Sequence, residues 1–347
     1  MLRYSQLSFW EKDSYFNDLD VLIIGAGIVG YSAAIEIKES YPDKKVLVID
    51  RGYLPTGAST KNAGFTCFGS GSEILEDLHS QSKEDVTDLV KKRYEGLQIL
   101  LNRCGKDLIN YKGTGSVELF TESENDKITF ENVMNNQMVL NDIVKNATGI
   151  ENNYSETTNT FGFQSIYKLI KNKGEGQIDT GKMMLRLHQI AISSGVLTLF
   201  GTRFKGYESF SDNLVKINTD KGSFLTKQLI FATNGFSKNL LPQLDLQPAR
   251  AQVLITKPLK NLFTGTFHYD KGYYYFRNVG DRILIGGGRN LAFEEENTSE
   301  FHNTKLITNE LKRLLYEVIL PDTSFSIEQE WSGIMVLAPI ENQLFNI

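Results

Sequence analysis

The chain has 347 residues, 41% of them hydrophobic and 23% charged, with a net charge of −5; this is an ordinary globular composition, able to bury the core of one large domain or two intertwined ones. No basic block offers a nucleic-acid-binding face, and the two cysteines, Cys67 and Cys104, lack metal-ligand or redox-motif spacing, which excludes a disulfide scaffold, gives no metal site and fits a reducing compartment. Trp10, Glu11, Lys12 and Asp13 stand where a signal peptide needs an apolar stretch, and no run of about 18 apolar residues is present to span a bilayer, so a cytoplasmic protein without a transmembrane segment is expected.

After an N-terminal arm, residues 1–17, the first element is the apolar, β-branched run Val21-Leu22-Ile23-Ile24, which reads as a central strand buried on both faces. Gly25-Ala26-Gly27-Ile28-Val29-Gly30 follows at once, and Tyr31 to Ser40 reads as a helix that packs on the sheet through Ala33, Ala34 and Ile37. A second apolar strand, Lys45 to Ile49, ends at Asp50. In this order the residue types have definite work. Gly25 permits the tight turn, Gly27 lets backbone approach a pyrophosphate, and Gly30 lets helix and strand pack closely. Ile28 and Val29 present their amides at the helix N-terminus, where a phosphate is stabilised. Asp50 is placed to accept hydrogen bonds from ribose hydroxyls. The unit predicts a dinucleotide site, without separating NAD from FAD.

The next segment does separate them. Arg51-Gly52-Tyr53-Leu54-Pro55-Thr56-Gly57-Ala58-Ser59-Thr60-Lys61-Asn62-Ala63-Gly64-Phe65 resembles the "ERG…GAS…NAG" segment of the D-amino acid oxidase and glycine oxidase superfamily of FAD-dependent oxidoreductases. Further stretches match in the same order: Gly176 to Lys182, the Leu229-to-Gly235 strand ending Thr233-Asn234-Gly235, the Tyr273-to-Arg277 and Arg282-to-Arg289 hairpin, and Glu330-Trp331-Ser332-Gly333-Ile334. A Leu7-to-Glu11 lead-in is similar to the γ-glutamylputrescine oxidase-like branch.

Between these landmarks Glu73 to Leu108 reads as mostly helical, with Leu89, Leu97, Leu100 and Leu101 as candidate buried positions; Ser116 to Phe120 reads as a strand and Asp126 to Asn146 as a helix. A helix from Lys182 to Ser194 precedes strands at 196–200, 214–219 and 225–232, and Ala249 to Thr256, Gly272 to Arg277 and Arg282 to Gly287 read as antiparallel strands. Parallel strands followed by antiparallel ones predict an α/β fold of two interleaved domains. By resemblance, a Rossmann-type, glutathione-reductase-like FAD-binding domain (18–110, 160–237 and 326–347) carries an antiparallel-sheet α+β domain (111–159 and 238–325) that roofs the flavin.

The resemblance implies noncovalent FAD and oxidation of the C–N bond of a small amine or amino acid by hydride transfer to flavin N5, with oxygen as the expected electron acceptor. It implies flavin contacts for Arg51, Gly57, Ala58, Ser59, Asn62, Ala63, Gly64, Thr233, Asn234, Gly235, Trp331 and Gly333, beside Gly25, Gly27, Ile28, Val29, Gly30 and Asp50. Lys61 lies in the flavin-facing loop, where its charge would assist oxygen, and Arg277 and Arg289 have the bidentate fork that reads a carboxylate; Lys61 and Arg277 are therefore expected at the catalytic centre, with Tyr275 and Arg289 on the substrate. The alternation of Tyr273, Tyr274, Tyr275 and Phe276 turns two toward the flavin or packs all four in the core. The four histidines, His79, His188, His268 and His302, are scattered and are given no catalytic role.

Two departures qualify this. Met335-Val336 replaces the Arg-Pro pair whose arginine binds the substrate carboxylate in the amino-acid oxidases, which shifts the expectation toward an amine or a differently anchored acid. Only 16 residues follow Trp331, where the family continues into a glycine-rich loop facing the flavin pyrimidine; a truncated, catalytically impaired member with weak FAD retention is the alternative expectation, and an NAD-dependent dehydrogenase, disfavoured by the 51–65 loop, is a third.

Overall fold

The computed structural model describes residues 4–211, 213–260 and 262–337. The tail from Ala338 to Ile347 and the first three residues of the N-terminal arm, both included in the expected domain ranges, lie outside the described residues.

A four-stranded parallel sheet, in the order Gln228–Phe231, Val21–Ile24, Val46–Ile49, Leu197–Leu199, forms the first half. The two inner strands, VLII and VLVI, are buried at every position because both sheet faces are covered. On one face lie the helices Ile28–Ser40 and Thr180–Ser193, which bury Tyr31, Ile35, Met184 and Leu187 against Ile23 and Val48. The other face is covered by a small antiparallel sheet, Phe204–Ser211, Leu214–Thr219 and Gly222–Thr226, whose Phe204, Ile217 and Phe224 meet Leu22, Ile24, Leu47 and Ile49.

The second half is an eight-stranded sheet in the order Ile327–Leu337, Gln247–Thr256, Arg282–Gly287, Tyr274–Val279, Thr266–Tyr269, Ser116–Thr121, Ile166–Asn172, Tyr154–Thr157. All its pairs are antiparallel except Thr266–Tyr269 with Ser116–Thr121. The helix Lys305–Leu314 seals one face, burying Ile307 and Leu311 on Leu254, Ile285 and Phe276.

The structure refines several expected elements. The helical stretch after Glu73 is two helices, Gly71–Ser80 and Lys83–Cys104, the second restarted by Ser82, whose hydroxyl caps the Asp85 amide. Of its expected buried leucines only Leu101 is fully buried; Val86, Val90 and Cys104 supply the rest of that face. The helix expected over Asp126 to Asn146 is likewise two, Glu124–Asn135 and Gln137–Thr148, with the break at Asn136. The N-terminal arm holds a helix, Phe9–Tyr15, closed by a reciprocal Ser8–Glu11 capping box. Ile166–Asn172 and Ile327–Leu337, expected in the dinucleotide-binding half, are strands of the large sheet. Among the described residues no helix is long and apolar enough to cross a membrane.

Candidate active site

The strand Val21–Ile24 ends in a turn where Gly25 has φ +108°, a conformation that side chains rarely adopt. A Cβ on Gly25 would lie 2.4 Å from the Ala232 carbonyl oxygen of the neighbouring strand's end, and one on Gly30 would lie 1.9 Å from the Gly25 carbonyl oxygen. Strand end, turn and helix thus touch backbone to backbone. Gly27 is the N-cap of the helix Ile28–Ser40 and brings no capping side chain to its first turn; the Ile28 amide donates to Ser59 Oγ at 2.9 Å, and Val29 beside it is exposed. Asp50 accepts from the Ala26 amide at 3.0 Å and from the Gly52 amide at 2.8 Å, so its carboxylate is fixed at the mouth of the turn. The Arg51 guanidinium lies over the Phe236 ring at 3.9 Å from its centroid.

Gly57, with open space around its Cβ position, starts the single helical turn Ala58–Lys61. Asn62 closes that turn by donating to the carbonyl oxygens of Ala58 and Ser59 and accepting from the Gly64 amide at 2.8 Å. The loop is then gripped from two sides. The Trp331 indole donates to the Lys61 carbonyl oxygen at 2.9 Å, and a Cβ on Gly333 would sit 3.1 Å from that of Lys61. Asn234 donates to the Ile334 carbonyl oxygen at 3.0 Å, and Gly235 packs on the Met335 backbone, while Thr233 bonds its hydroxyl to that of Ser237. The Gly25-to-Gly30 turn thus touches the 57–64 loop through Ser59, and that loop touches the segment Trp331-to-Gly333.

Between this loop and the large sheet lies a cavity of about 410 Å³, lined by Lys61, Ala63, Gly64 and Phe65 on one side and by Val253, Tyr275, His268 and Glu73 on the other. Its roof follows from register. Trp331, Val253, Gly286, Tyr275, His268 and Glu118 are successive partners across six strands and so share one face of the sheet. Gly286 has no side chain because the Tyr275 ring occupies that place: a Cβ there would be 2.6 Å from the ring. Burial pushes the Tyr275 hydroxyl up to about 12, so it stays a neutral phenol. Phe65 packs edge-on against both Tyr275 and His268.

Two expected substrate-side residues, Arg277 and Arg289, are engaged by other protein groups. Arg277 is buried and donates from Nε to the Ala63 carbonyl oxygen, from Nη1 to Gln177 Oε1 at 2.7 Å and from Nη2 to the Ile178 carbonyl oxygen at 3.0 Å. All three nitrogens are committed to protein acceptors, one on the loop ending at Gly64 and two on the segment Gln177-Ile178, and burial lowers its pKa to about 10. Arg289 donates to Asn297 at 2.6 Å and stacks on Phe293. Neither lines the cavity. Lys61 does, its ammonium 5.1 Å from the Phe301 ring centroid.

His268, given no role from sequence, is a cavity wall. Its Nε2 lies 3.5 Å from Glu175 Oε2 and 3.4 Å from Cys67 Sγ. Glu175 is fully buried and also accepts from the amides of Phe68 and Gly69 and from the Ser116 hydroxyl, so hydrogen bonds already satisfy the carboxylate of this Cys67–Glu175–His268 cluster. Burial alone would lower the pKa of His268, but the hydrogen bond and charge of Glu175, with the charges of Glu73 and Glu118, outweigh it and raise the value. Burial pushes Cys67 well above the usual thiol range, where it is not a nucleophile. Burial also raises Glu118 to about 7, although Ser70 and Ser72 donate to it. The signal that would have found His268 is its register opposite Tyr275, in a strand of four residues, Thr266–Tyr269, too short to show alternation.

A glycine turn on a parallel sheet, a second glycine-started loop beside it and a roofed cavity define a dinucleotide-binding α/β protein with a second, antiparallel half. The chain belongs to the DAO family, FAD dependent oxidoreductases, which matches residues 20–345. It is similar to the bifunctional protein ThiO/ThiG of Synechocystis sp., 22% identical over 332 residues that cover 93% of this chain and 46% of that protein; the chain spans less than half the length of the curated relatives it matches. Among solved structures it shares its fold with L-proline dehydrogenase from P. horikoshii (TM-score 0.71, 18% identity, covering 94% of this chain and 83% of that one). It shares it also with glycine oxidase from Geobacillus kaustophilus (TM-score 0.70, 18% identity, 92% and 83%).

Proposed function

We propose that this chain oxidises the C–N bond of a small amine or amino acid with noncovalently held FAD, oxygen taking the electrons. The observation that carries this is the cavity between the Ala58-to-Phe65 loop and the row of roof residues, a loop whose Ser59 accepts from the Ile28 amide at the start of the helix after the glycine turn. The residues present fit FAD. The side-chain-free helix start at Gly27, packed closely through Gly25 and Gly30, suits a pyrophosphate, the fixed Asp50 carboxylate keeps lone pairs for ribose hydroxyls, and the open Gly57 backbone beside Ala58 and Ser59, with Asn62, Ala63 and Gly64 after it, suits the ribityl chain and ring. When bound, FAD supplies the hydride acceptor at N5.

The chain's own groups then orient and exclude. Tyr275 and Phe65 wall the cavity with neutral aromatic surface that expels water from beside the reacting carbon. The Lys61 ammonium disfavours protonation of an amine bound beside it, and only the neutral amine gives up hydride readily. Arg277 holds the Ala63 carbonyl and so the loop, rather than the substrate. Similarity to a proline dehydrogenase and a glycine oxidase supports the class of reaction. The test is to release the cofactor from purified protein by denaturation, identify it, and then mix the holoprotein anaerobically with amines and amino acids. Bleaching of the visible flavin band is expected; a released nicotinamide dinucleotide, or a flavin that no amine or amino acid bleaches, would overturn the proposal.

A further inference from the structure

The cavity is electrically lopsided. Its ionisable walls are Lys61 at one end and Glu73 with His268 at the other. Lys61 lies against Gly333, whereas His268 stands four strands further across the roof, about 19 Å at ordinary strand spacing. His268 is in contact with Glu175, not with Glu73. Glu73 Oε2 accepts from the Ser70 amide at 2.8 Å and so caps the helix Gly71–Ser80. Oε1 has no hydrogen-bond or ion-pair partner among the described residues, and it lies beside Gly272, where a Cβ would be 2.8 Å from it. Arg93, whose charge also reaches this region, donates to the Phe68 carbonyl oxygen, and Lys271 pairs with Glu76. A half-buried cavity-lining carboxylate with one oxygen fixed and the other without a protein partner among the described residues is a ready acceptor for an ammonium, and among the described residues no arginine lines the cavity to read a carboxylate.

We propose that Glu73 is a specificity-determining residue for an amine substrate with a second positive charge, its Oε1 accepting the remote ammonium while the reacting nitrogen lies toward Lys61. This rests on the function proposed above. The two ends of the cavity impose opposite protonation states: Glu73 favours the ammonium and Lys61 the free amine. A diamine therefore enters in one direction, with its uncharged end presented for oxidation.

The experiment compares 1,6-diaminohexane with heptylamine, its isostere lacking the second charge, as anaerobic reductants of the flavin in wild type and in Glu73→Gln. Glutamine keeps the acceptor that caps the Ser70 amide, so the helix persists. Wild type should favour the diamine in kcat/KM by about tenfold to a hundredfold, the worth of one charge-assisted hydrogen bond, and the variant should bring the ratio near one. The diamine should also raise the unfolding temperature of wild type and not of the variant, a readout that needs no turnover. Equal rates with both amines, or a preference unchanged in Glu73→Gln, would overturn the assignment. Bleaching by glycine or proline but by neither amine sinks Glu73's role and leaves amino-acid oxidation standing. No bleaching by any of them defeats the oxidase reading, and the thermal shift then decides on Glu73 alone.

Discussion

Gly286 and Tyr275 show how a single absent side chain shapes the cavity. The strand Arg282–Gly287 runs beside Tyr274–Val279, and position 286 faces the same side as Tyr275. Because a Cβ there would come within 2.6 Å of the ring, Gly286→Ala has to push the phenol toward the cavity or distort the strand. Overpacking of this kind costs about 1–3 kcal/mol. Gly286→Ala should lower the denaturation midpoint by that amount and impair substrate-driven bleaching, and Tyr275→Ala in the same chain should recover most of the stability. A double-mutant cycle measures this directly; additive losses would show that the two positions do not share the space. The tyrosine run was legible in sequence as an alternating strand, and Tyr275 as one of two possible inward residues. Its glycine partner was not, because only the register between strands distant in the chain reveals that pairing.

At the scale of elements, Arg277 clamps three segments that sequence alone leaves unconnected: its own strand, the loop ending at Gly64, and the short strand Gly176–Gln177 with Ile178 after it. A guanidinium suits this because its fork reaches three acceptors at fixed angles, which an ammonium cannot reproduce. Arg277→Lys should therefore lose at least about 2 kcal/mol of stability, from two charged hydrogen bonds weakened, and should release flavin more readily on dilution. Chemical denaturation and equilibrium dialysis of the cofactor measure both. Unchanged stability with abolished turnover would return Arg277 to the catalytic role expected from sequence. The dinucleotide-binding turn was readable because glycine spacing, strand and helix follow one another within 30 residues. The clamp was not, since an arginine in a strand reads equally as a carboxylate receptor until its acceptors are known. The strand Ile327–Leu337 was missed for another reason: along its length exposure does not alternate, so no period of two marks it.

For the whole molecule, the buried charges where the large sheet meets the first half set how stability depends on pH. His268 has a raised pKa, so its contribution is fully present below about 6.5, its ordinary value, and is lost as pH rises through the folded value. Glu118, raised to about 7 by burial, acts in the same direction. Below 4.5 it is protonated in both states; between 4.5 and about 7 only the unfolded chain gives up the proton, and the folded state loses ground. Glu175 works oppositely, its lowered pKa giving stability above 4.5 that disappears as pH falls through the folded value. Together these groups place their optimum on the acid side of neutrality and predict a chain that weakens from pH 5 to pH 8. Glu118→Gln isolates one part of that slope, because the amide does not titrate and its carbonyl oxygen still accepts from the Ser70 and Ser72 hydroxyls, with only the bond from the Ser72 amide given up. Relative to wild type the variant should gain stability on going from pH 5 to pH 8, by at most about 3 kcal/mol for the shift involved. Scanning calorimetry of both proteins at the two pH values measures the difference. A variant that tracks wild type in parallel across the range would mean that Glu118 ionises without cost, and that the carboxylates around His268 are better solvated than their burial implies.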